Sequence, residues 1–547
     1  MVEAPSQHAG EDETAPVLIV GGSLVGLSTA LFLGRQGIAS VLVERHPGTA
    51  IHPRVASLTA RTMEIFRSVG AEAAIRQVEP PFSTDSRVPL AESLVGEEVD
   101  NLQEDFSAYF TPASPVQGSL IAQDALETVL PGLAQQAGGE LRYRTELIDF
   151  AQDTEGITAT IRDRSSGTSR RVRAQFLIAA DGNDSGIRQH LGIDRHGPGS
   201  LGHYMSMIFE AENLMELFHK REAIMCFLAN DTLSGTLSCY PGSSVRPDLF
   251  RLDIAYDPEE ETPADYPEER CLPLIRAAIG IPDFPVQFKT VLAWEMNARI
   301  ADCFHHGRVF LVGDAARAQP PSGALGGNTG IAEAHNLAWK LAAVLRGEAD
   351  RHLLATYDAE RRPLADYTVE QVALLSQECA TEGSEGVTVH TLAINMGYRY
   401  GAGAAIVPEA GDEQLPLVQD PARWTGQPGT RAPHVVLQRQ GQPISALELF
   451  GSHFVLLVGP DGQHWLEAAL RAQAPLHPSL DVYQIGVDAG DLTAPDSTFA
   501  DAYGITGSGV VIVRPDGFIG WRSRSAAATE QAAEQTITQA LTTLLCR

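Results

Sequence analysis

The chain has 547 residues with Lys+Arg 40 against Asp+Glu 69, and its formal net charge of −29 repels polyphosphate surfaces at long range, which excludes nucleic acid and anionic membrane as electrostatic partners. Hydrophobic residues at 44% supply ample apolar material for several globular cores, and about 150 residues per domain sets a prior of three to four domains. The six cysteines are scattered with no CxxC and no zinc-like spacing, so unpaired thiols and no metal centre are expected.

Residues 1–15 are acidic and polar, without the basic and apolar regions of a secretory signal. No apolar run reaches the roughly 18 residues of a membrane span. The reading is a cytoplasmic protein.

VLIV at 17–20 is a short apolar run bounded by glycine, the pattern of a buried parallel strand. Gly21, Gly22, Ser23, Leu24, Val25 and Gly26 follow as a turn opening a helix, and a second strand ends at Glu44. Strand, glycine turn, helix, strand and acid in this order form a dinucleotide-binding unit. The glycines let backbone approach a pyrophosphate, the helix N-terminus supplies oriented N–H groups, and Glu44 accepts from a ribose hydroxyl. The middle glycine of the usual G-x-G-x-x-G is replaced by Ser23, whose hydroxyl is itself a potential phosphate donor.

Further on, FLIAADGNDSGIR (176–188) is a strand ending in Asp181-Gly182 before a short helix. RVFLVGDAARAQPPSGALGGNTG (308–330) is a strand ending in Gly313-Asp314, then a Pro/Gly-rich loop, with a helix predicted from about Ile331. Asp314 suits a ribityl hydroxyl, and the loop's N–H groups at a helix start suit the electron-rich pyrimidine edge of a reduced flavin.

These motifs together closely resemble the FAD-dependent aromatic hydroxylases, the class A flavoprotein monooxygenases. RTMEIF (61–66), Gln123-Asp124 and TYDAERRP (356–363) add to the likeness, which runs from residue 15 to about 400. Within the family, PPSGALGGNTG looks most like hydroxylases of polycyclic polyketides and of phenols; Arg317 stands where much of the family has histidine.

The resemblance implies an α/β fold with a Rossmann-like FAD-binding domain assembled from 15–98, 115–190 and 291–400, and a β-sheet substrate domain from 99–114 and 191–290. It also implies a thioredoxin-like C-terminal domain over 410–547, without redox cysteines. It implies non-covalent FAD, NAD(P)H as transient reductant, O2 and an aromatic substrate, with oxygen transferred through a flavin C4a-hydroperoxide. By motif, Gly21 to Gly26 hold the pyrophosphate and Glu44 the ribose. Arg45, Arg54 and Gln123 line the ribityl-phosphate path, Asp181 and Gly182 serve FAD and NADPH, and Asp314, Pro321, Gly326, Gly327 and Asn328 surround the flavin. Tyr240, at a strand end in the substrate sheet, and Arg399, in GYRYGAG, are candidates for activating a substrate phenol. Trp294 reads as interdomain packing.

The alternatives are a Baeyer–Villiger or epoxidising relative, a simple phenol hydroxylase, and a flavin-binding protein without catalysis. A flavin-dependent halogenase is disfavoured, because the Trp294 segment reads AWEMNA and carries no WxWxIP. Monomer and homodimer both stay open. A second long helix is predicted from about Pro363 to Gln377. In the C-terminal region, RPDGFIGWR reads as a hairpin turning at Asp516-Gly517.

Overall fold

The computed structural model describes residues 13–48, 57–79, 88–101, 108–239, 248–378, 390–476, 480–486, 492–494 and 497–547. Arg54 and Tyr240 lie outside them.

Three sheets organise the described residues. In the first, Glu13–Val20 is flanked by Ser40–Glu44 and Ser169–Ala179, both parallel to it, and Val309–Leu311 joins Ser169–Ala179 in parallel. The predicted strands are therefore neighbours, and their C-terminal ends carry Gly21, Asp181 and Asp314 to one sheet edge, where open α/β sheets bind ligands. Both faces are covered, which explains the unbroken apolar runs. Helices Leu24–Arg35 and Leu325–Leu345 pack on each other and share one continuous core with the sheet.

The second sheet is largely antiparallel, built around Arg195–Glu210 and Gln287–Ala301 and extended through Leu249–Ala255, Ser234–Cys239 and Met225–Ala229. One face buries Met205, Met207 and Phe209 with Ile275 and Ile279 of helix Glu268–Ile279. The other meets the first unit, where Ile208 and Leu249 pack on Ala122. Strand Pro89–Ala91 also belongs to this sheet, pairing Leu90 with Phe227, although residues up to 98 were expected in the FAD-binding domain. Arg317–Ala318 pairs with Arg299 and Ile300, so the second sheet runs directly into the Pro/Gly-rich segment.

The third sheet comprises seven strands of the C-terminal region. Val510–Val513 and Ile519–Ser523 form the expected hairpin, with Gly517 at φ 80°, a left-handed turn position that glycine adopts without penalty. One face of the sheet is not free-standing: Phe454, Leu456 and Trp465 share a core with Trp339 and Ala343 of helix Leu325–Leu345.

Two helices start earlier than predicted. One begins at Leu325, so the GGNTG stretch is its first turns and not a loop. The other runs Thr356–Glu378, with Pro363 inside it and not at the helix start, the commonest helical position of proline.

Candidate active site

The glycine turn is closed by sterics. A Cβ on Gly26 would lie 1.9 Å from the Gly21 carbonyl oxygen, and one on Gly21, at φ +109°, would lie 2.1 Å from the Ala180 oxygen. Side chains at either position are excluded by backbone. Glu44 lies beneath the turn, accepting from the Gly22 N–H at 2.7 Å and the His46 N–H at 2.7 Å. Two of the carboxylate's roughly four acceptor sites are thus used internally, leaving capacity for a hydroxyl.

Ser23 has a different role from the one its position suggested. Its hydroxyl donates to Glu127 Oε1 at 2.6 Å and accepts from Gln123 Nε2 at 2.7 Å. Glu127 also accepts from the Leu24 N–H at 3.1 Å and from Gln123 at 2.7 Å. Serine therefore ties the turn to helix Gln123–Gln136 and does not aim its proton at a phosphate. Glu127, buried and unnoticed in the sequence, is the hub of this tie. Its only signal is its spacing, four residues after Gln123 on one helix face.

Both ends of the 308–330 run close on one side chain of the glycine turn. A Cβ on Gly313 would lie 3.1 Å from Val25 Cγ2, and one on Gly330 would lie 2.7 Å from the same atom. The glycine turn, the Gly313-Asp314 corner and the start of the long helix are thus packed together. An ion pair missed by the sequence reading fastens the last two: Arg317 Nε lies 3.0 Å from Glu333 Oε1, both side chains fully buried. Glu333 Oε2 accepts from the Gly313 N–H at 2.8 Å, and Arg317 donates to the Gly326 carbonyl at 3.2 Å.

The long helix enters through two left-handed residues, Gly323 at φ 69° and Ala324 at φ 52°. Its first N–H groups belong to Leu325, Gly326 and Gly327, which an α-helix leaves without intrahelical partners, whereas the Asn328 N–H opens the helical ladder on the N-cap Ala324 carbonyl. A Cβ on Gly326 would meet nothing within 4 Å, so open space lies beside this helix end. Asn328 is present but committed: its Oδ1 accepts from the Thr59 N–H at 2.9 Å and from Thr62 Oγ1 at 2.6 Å, and its Nδ2 donates to the Ala324 carbonyl at 2.7 Å. Its part is to hold the first turn in place, leaving the N–H groups of Leu325, Gly326 and Gly327 to face a ligand. Pro321 is exposed at the mouth of the same segment.

Asp181 has one oxygen accepting from the Ile187 N–H at 3.2 Å, whereas Oδ1 is buried without a partner. Burial is the main cause raising its carboxyl above the usual range. Gln319, between Arg317 and the two prolines, likewise has both amide atoms buried and unpartnered. Such atoms are rare in folded proteins, and at a sheet edge beside a glycine turn they can accept or donate to a ligand.

Two expected residues are elsewhere. Arg45 points along the surface toward His46, Nε to Nε2 3.2 Å. Arg399 is buried, but its guanidinium donates to the Pro428 carbonyl at 3.2 Å and lies 3.5 Å from Asp412. The cause is local topology: Arg399 pairs with Thr430 across an isolated bridge into the C-terminal region. It is spent on that junction rather than on substrate. Trp294 stacks on Tyr204 at 4.9 Å and donates to Ser206 at 2.9 Å, a role within the second sheet.

With this geometry established, the comparisons agree with it. The chain matches the FAD binding domain family over residues 14–372 and the C-terminal region of aromatic-ring hydroxylases over 425–547. It belongs to the FAD-dependent aromatic-ring hydroxylases and is a flavin-dependent monooxygenase. It is 41% identical over 548 residues to the 4-methyl-5-nitrocatechol 5-monooxygenase of a Burkholderia species, covering 98% of each chain. It is 38% identical over 528 residues to the aklavinone 12-hydroxylase of Streptomyces purpurascens, covering 94% of this chain and 97% of that one. Among solved structures, a ternary complex of aklavinone-11 hydroxylase with FAD and aklavinone superposes with a TM-score of 0.89 at 36% identity, covering 98% of this chain and 100% of that one.

The residues present fit FAD. The glycine turn is closed tightly enough on its own backbone to exclude side chains at Gly21 and Gly26, Glu44 retains acceptor capacity, Asp181 and Gln319 hold orphaned polar atoms, and the Leu325 helix end is open at Gly326. Among the described residues no helix is long and apolar enough to cross a membrane, and no cluster could hold a metal ion.

Proposed function

We propose that this monooxygenase hydroxylates a polycyclic aromatic polyketide in the cytoplasm, with NAD(P)H as reductant and O2 as oxygen source. The observation that supports the reading is the packing of Gly313 and Gly330 on Val25, which brings the glycine turn and both ends of the 308–330 run to one place. The end-to-end likeness to an enzyme captured with FAD and aklavinone supports the substrate class. When bound, FAD supplies hydride acceptance and oxygen activation.

The chain's own residues do the rest. Gly21, Gly22 and Gly26 admit the pyrophosphate, Glu44 takes a ribose hydroxyl, and Asp181 and Asp314 accept from the cofactor's polar chain. The N–H groups of Gly326 and Gly327, in the turn that Asn328 fixes, steady negative charge at a helix N-terminus. The second sheet covers the cleft and limits water. Tyr240, following strand Ser234–Cys239 in the sequence, is the group that draws a proton from the substrate phenol. The C-terminal region is read as a redox-inactive thioredoxin-like domain.

A second reading, a monocyclic nitrophenol or catechol as substrate, is favoured by the equally extensive match to the nitrocatechol monooxygenase. One experiment separates them: NAD(P)H oxidation and oxygen uptake are followed over hydroxyanthraquinones and over simple phenols. Substrate-stimulated turnover on the polycyclic set, giving a product heavier by one oxygen, is the expected outcome. Turnover confined to single-ring phenols selects the second reading, and a bound flavin that NAD(P)H never reduces refutes both.

A further inference from the structure

We infer that the C-terminal hairpin tip Arg514–Phe518, together with Arg431, is a positioning element for the flavin cradle, acting through helix Ala60–Ser68 and Asn328. The inference rests on the cofactor site proposed above and assigns the C-terminal region a part in it.

A hairpin tip between two short strands ordinarily lies in solvent. Here Arg514 is 0% exposed, and Asp516 and Phe518 are 2% exposed, because the tip is inserted between helices of the flavin unit. Arg514 donates to both oxygens of Glu360, at 2.8 and 2.9 Å, and also pairs with Asp516. Lys340 Nζ reaches the same Glu360 at 2.7 Å, and Asn336 donates to Glu360 at 2.6 Å and to Asp516 at 3.2 Å. Asn336 and Lys340 belong to helix Leu325–Leu345, so the tip grips the shaft of the helix whose first turn faces the cofactor space.

The same tip grips a second element. Arg61 donates to the Asp516 carbonyl at 3.1 Å and lies over the Phe518 ring at 5.6 Å. Arg61 also pairs with Glu64 Oε2 at 3.1 Å, and Arg431 Nε donates to the same oxygen at 2.9 Å. Arg61, Glu64 and Arg431 are all at most 7% exposed. They fix helix Ala60–Ser68, whose N-cap Thr59 and first-turn Thr62 both donate to Asn328 Oδ1.

The two grips meet at Asn328, which sets where the first turn of the long helix presents its N–H groups. A buried charge cluster at a domain contact is costly unless every partner is placed, so it specifies geometry more than it adds stability. Sliding the tip would displace both helices, and with them the N–H groups at Gly326 and Gly327. Arg431, Glu64 and Asp516 are therefore positioning residues, none touching the cofactor space itself.

The test uses the full-length protein. Glu64→Gln/Arg431→Met removes one charge of each sign at similar volume, so the buried trio keeps its net charge, and Arg61 keeps its bond to the Asp516 carbonyl and an amide oxygen at position 64. Glu409→Gln is the control: Glu409 is clamped by Arg522 at 2.8 Å and by Arg524, in a cluster with no bond to helix Ala60–Ser68. Readouts are the apoprotein Tm, the Kd for FAD from flavin fluorescence titration, and the fraction of NADPH electrons lost as peroxide. The double variant is expected to keep a near-normal Tm while its FAD Kd rises about 3- to 30-fold, as for coupling through a packed network, with more peroxide. Arg431→Lys, keeping a cation at Glu64, should recover part of that loss, whereas Glu409→Gln should lower Tm without changing the Kd. An unchanged FAD Kd in the double variant overturns the inference, and so does a Kd in Glu409→Gln that worsens with its Tm. A wild-type protein that takes up no FAD instead refutes the cofactor site itself.

Discussion

The Arg317–Glu333 pair makes a prediction whose sign separates stability from charge pairing. Both side chains are fully buried with Nε and Oε1 3.0 Å apart. The N–H is not aimed at the carboxylate, and Arg317 Nη1 has no hydrogen-bond partner at all. The pair is therefore incompletely satisfied. Arg317→Met strands the Glu333 carboxylate in the core, which costs about 3–5 kcal/mol. At roughly 2 °C per kcal/mol, the low end suited to a large domain, apoprotein Tm falls by about 6–10 °C. Arg317→Met/Glu333→Gln removes both charges and still leaves an amide oxygen to accept from the Gly313 N–H, now 2.8 Å from Glu333 Oε2. Because replacing a poorly bonded buried pair is neutral to stabilising, the double variant should recover to within about 2 °C of wild type or exceed it. Calorimetry of the three apoproteins at pH 7 measures this. If the single variant loses no stability, or the second substitution restores none, the assignment of Arg317 as counter-charge to Glu333 is wrong.

Gly26→Ala places a methyl 1.9 Å from the Gly21 oxygen, so the purified protein should be free of flavin and should not take FAD up on titration. Asp181→Asn should act oppositely on stability and binding. Its folded carboxyl is raised by burial, so its contribution is full below the unfolded value near 3.8 and is lost as pH rises through the folded value. The amide should therefore raise apoprotein Tm at pH 7 but not at pH 3.5, while weakening FAD about 10- to 100-fold through a lost charge-assisted hydrogen bond. His196, bridging Asp302 at 2.7 Å and Asp366 at 2.9 Å, links the second sheet to helix Thr356–Glu378 and is raised above its ordinary value, first by Asp302 and then by Asp366. Its contribution is complete below about pH 6.5 and fades as pH rises through the raised value. The Tm gap between wild type and His196→Ala should consequently be wider at pH 6 than at pH 9, and a gap independent of pH would remove the bridge from the account.

What was legible in the sequence was what neighbours in the chain decide. Gly21, Asp181 and Asp314 stand at strand ends and Gly26 in the first turn of the helix that follows, where conformation and chemistry are local, and the three strands could be found one at a time. What was hidden depends on partners far away. Ser23 read as a phosphate donor because Glu127, 104 residues on, is invisible from the turn. Arg399 read as a substrate contact because its neighbours Asp412 and Pro428 are set by the fold of the junction. The helix start shows most about why. Glycine costs a helix about 1 kcal/mol relative to alanine, so Gly326 and Gly327 argued for a loop until Ile331. The helix nevertheless begins at Leu325, because Asn328 is held from outside by Thr59 and Thr62. Those glycines weaken the first turn at the place where side chains would fill the space before its free N–H groups. The conflict between propensity and fold is therefore itself the mark of the site: local stability is given up where the backbone must stay open to a ligand, and the compensation comes from helix Ala60–Ser68, braced by residues of the C-terminal region.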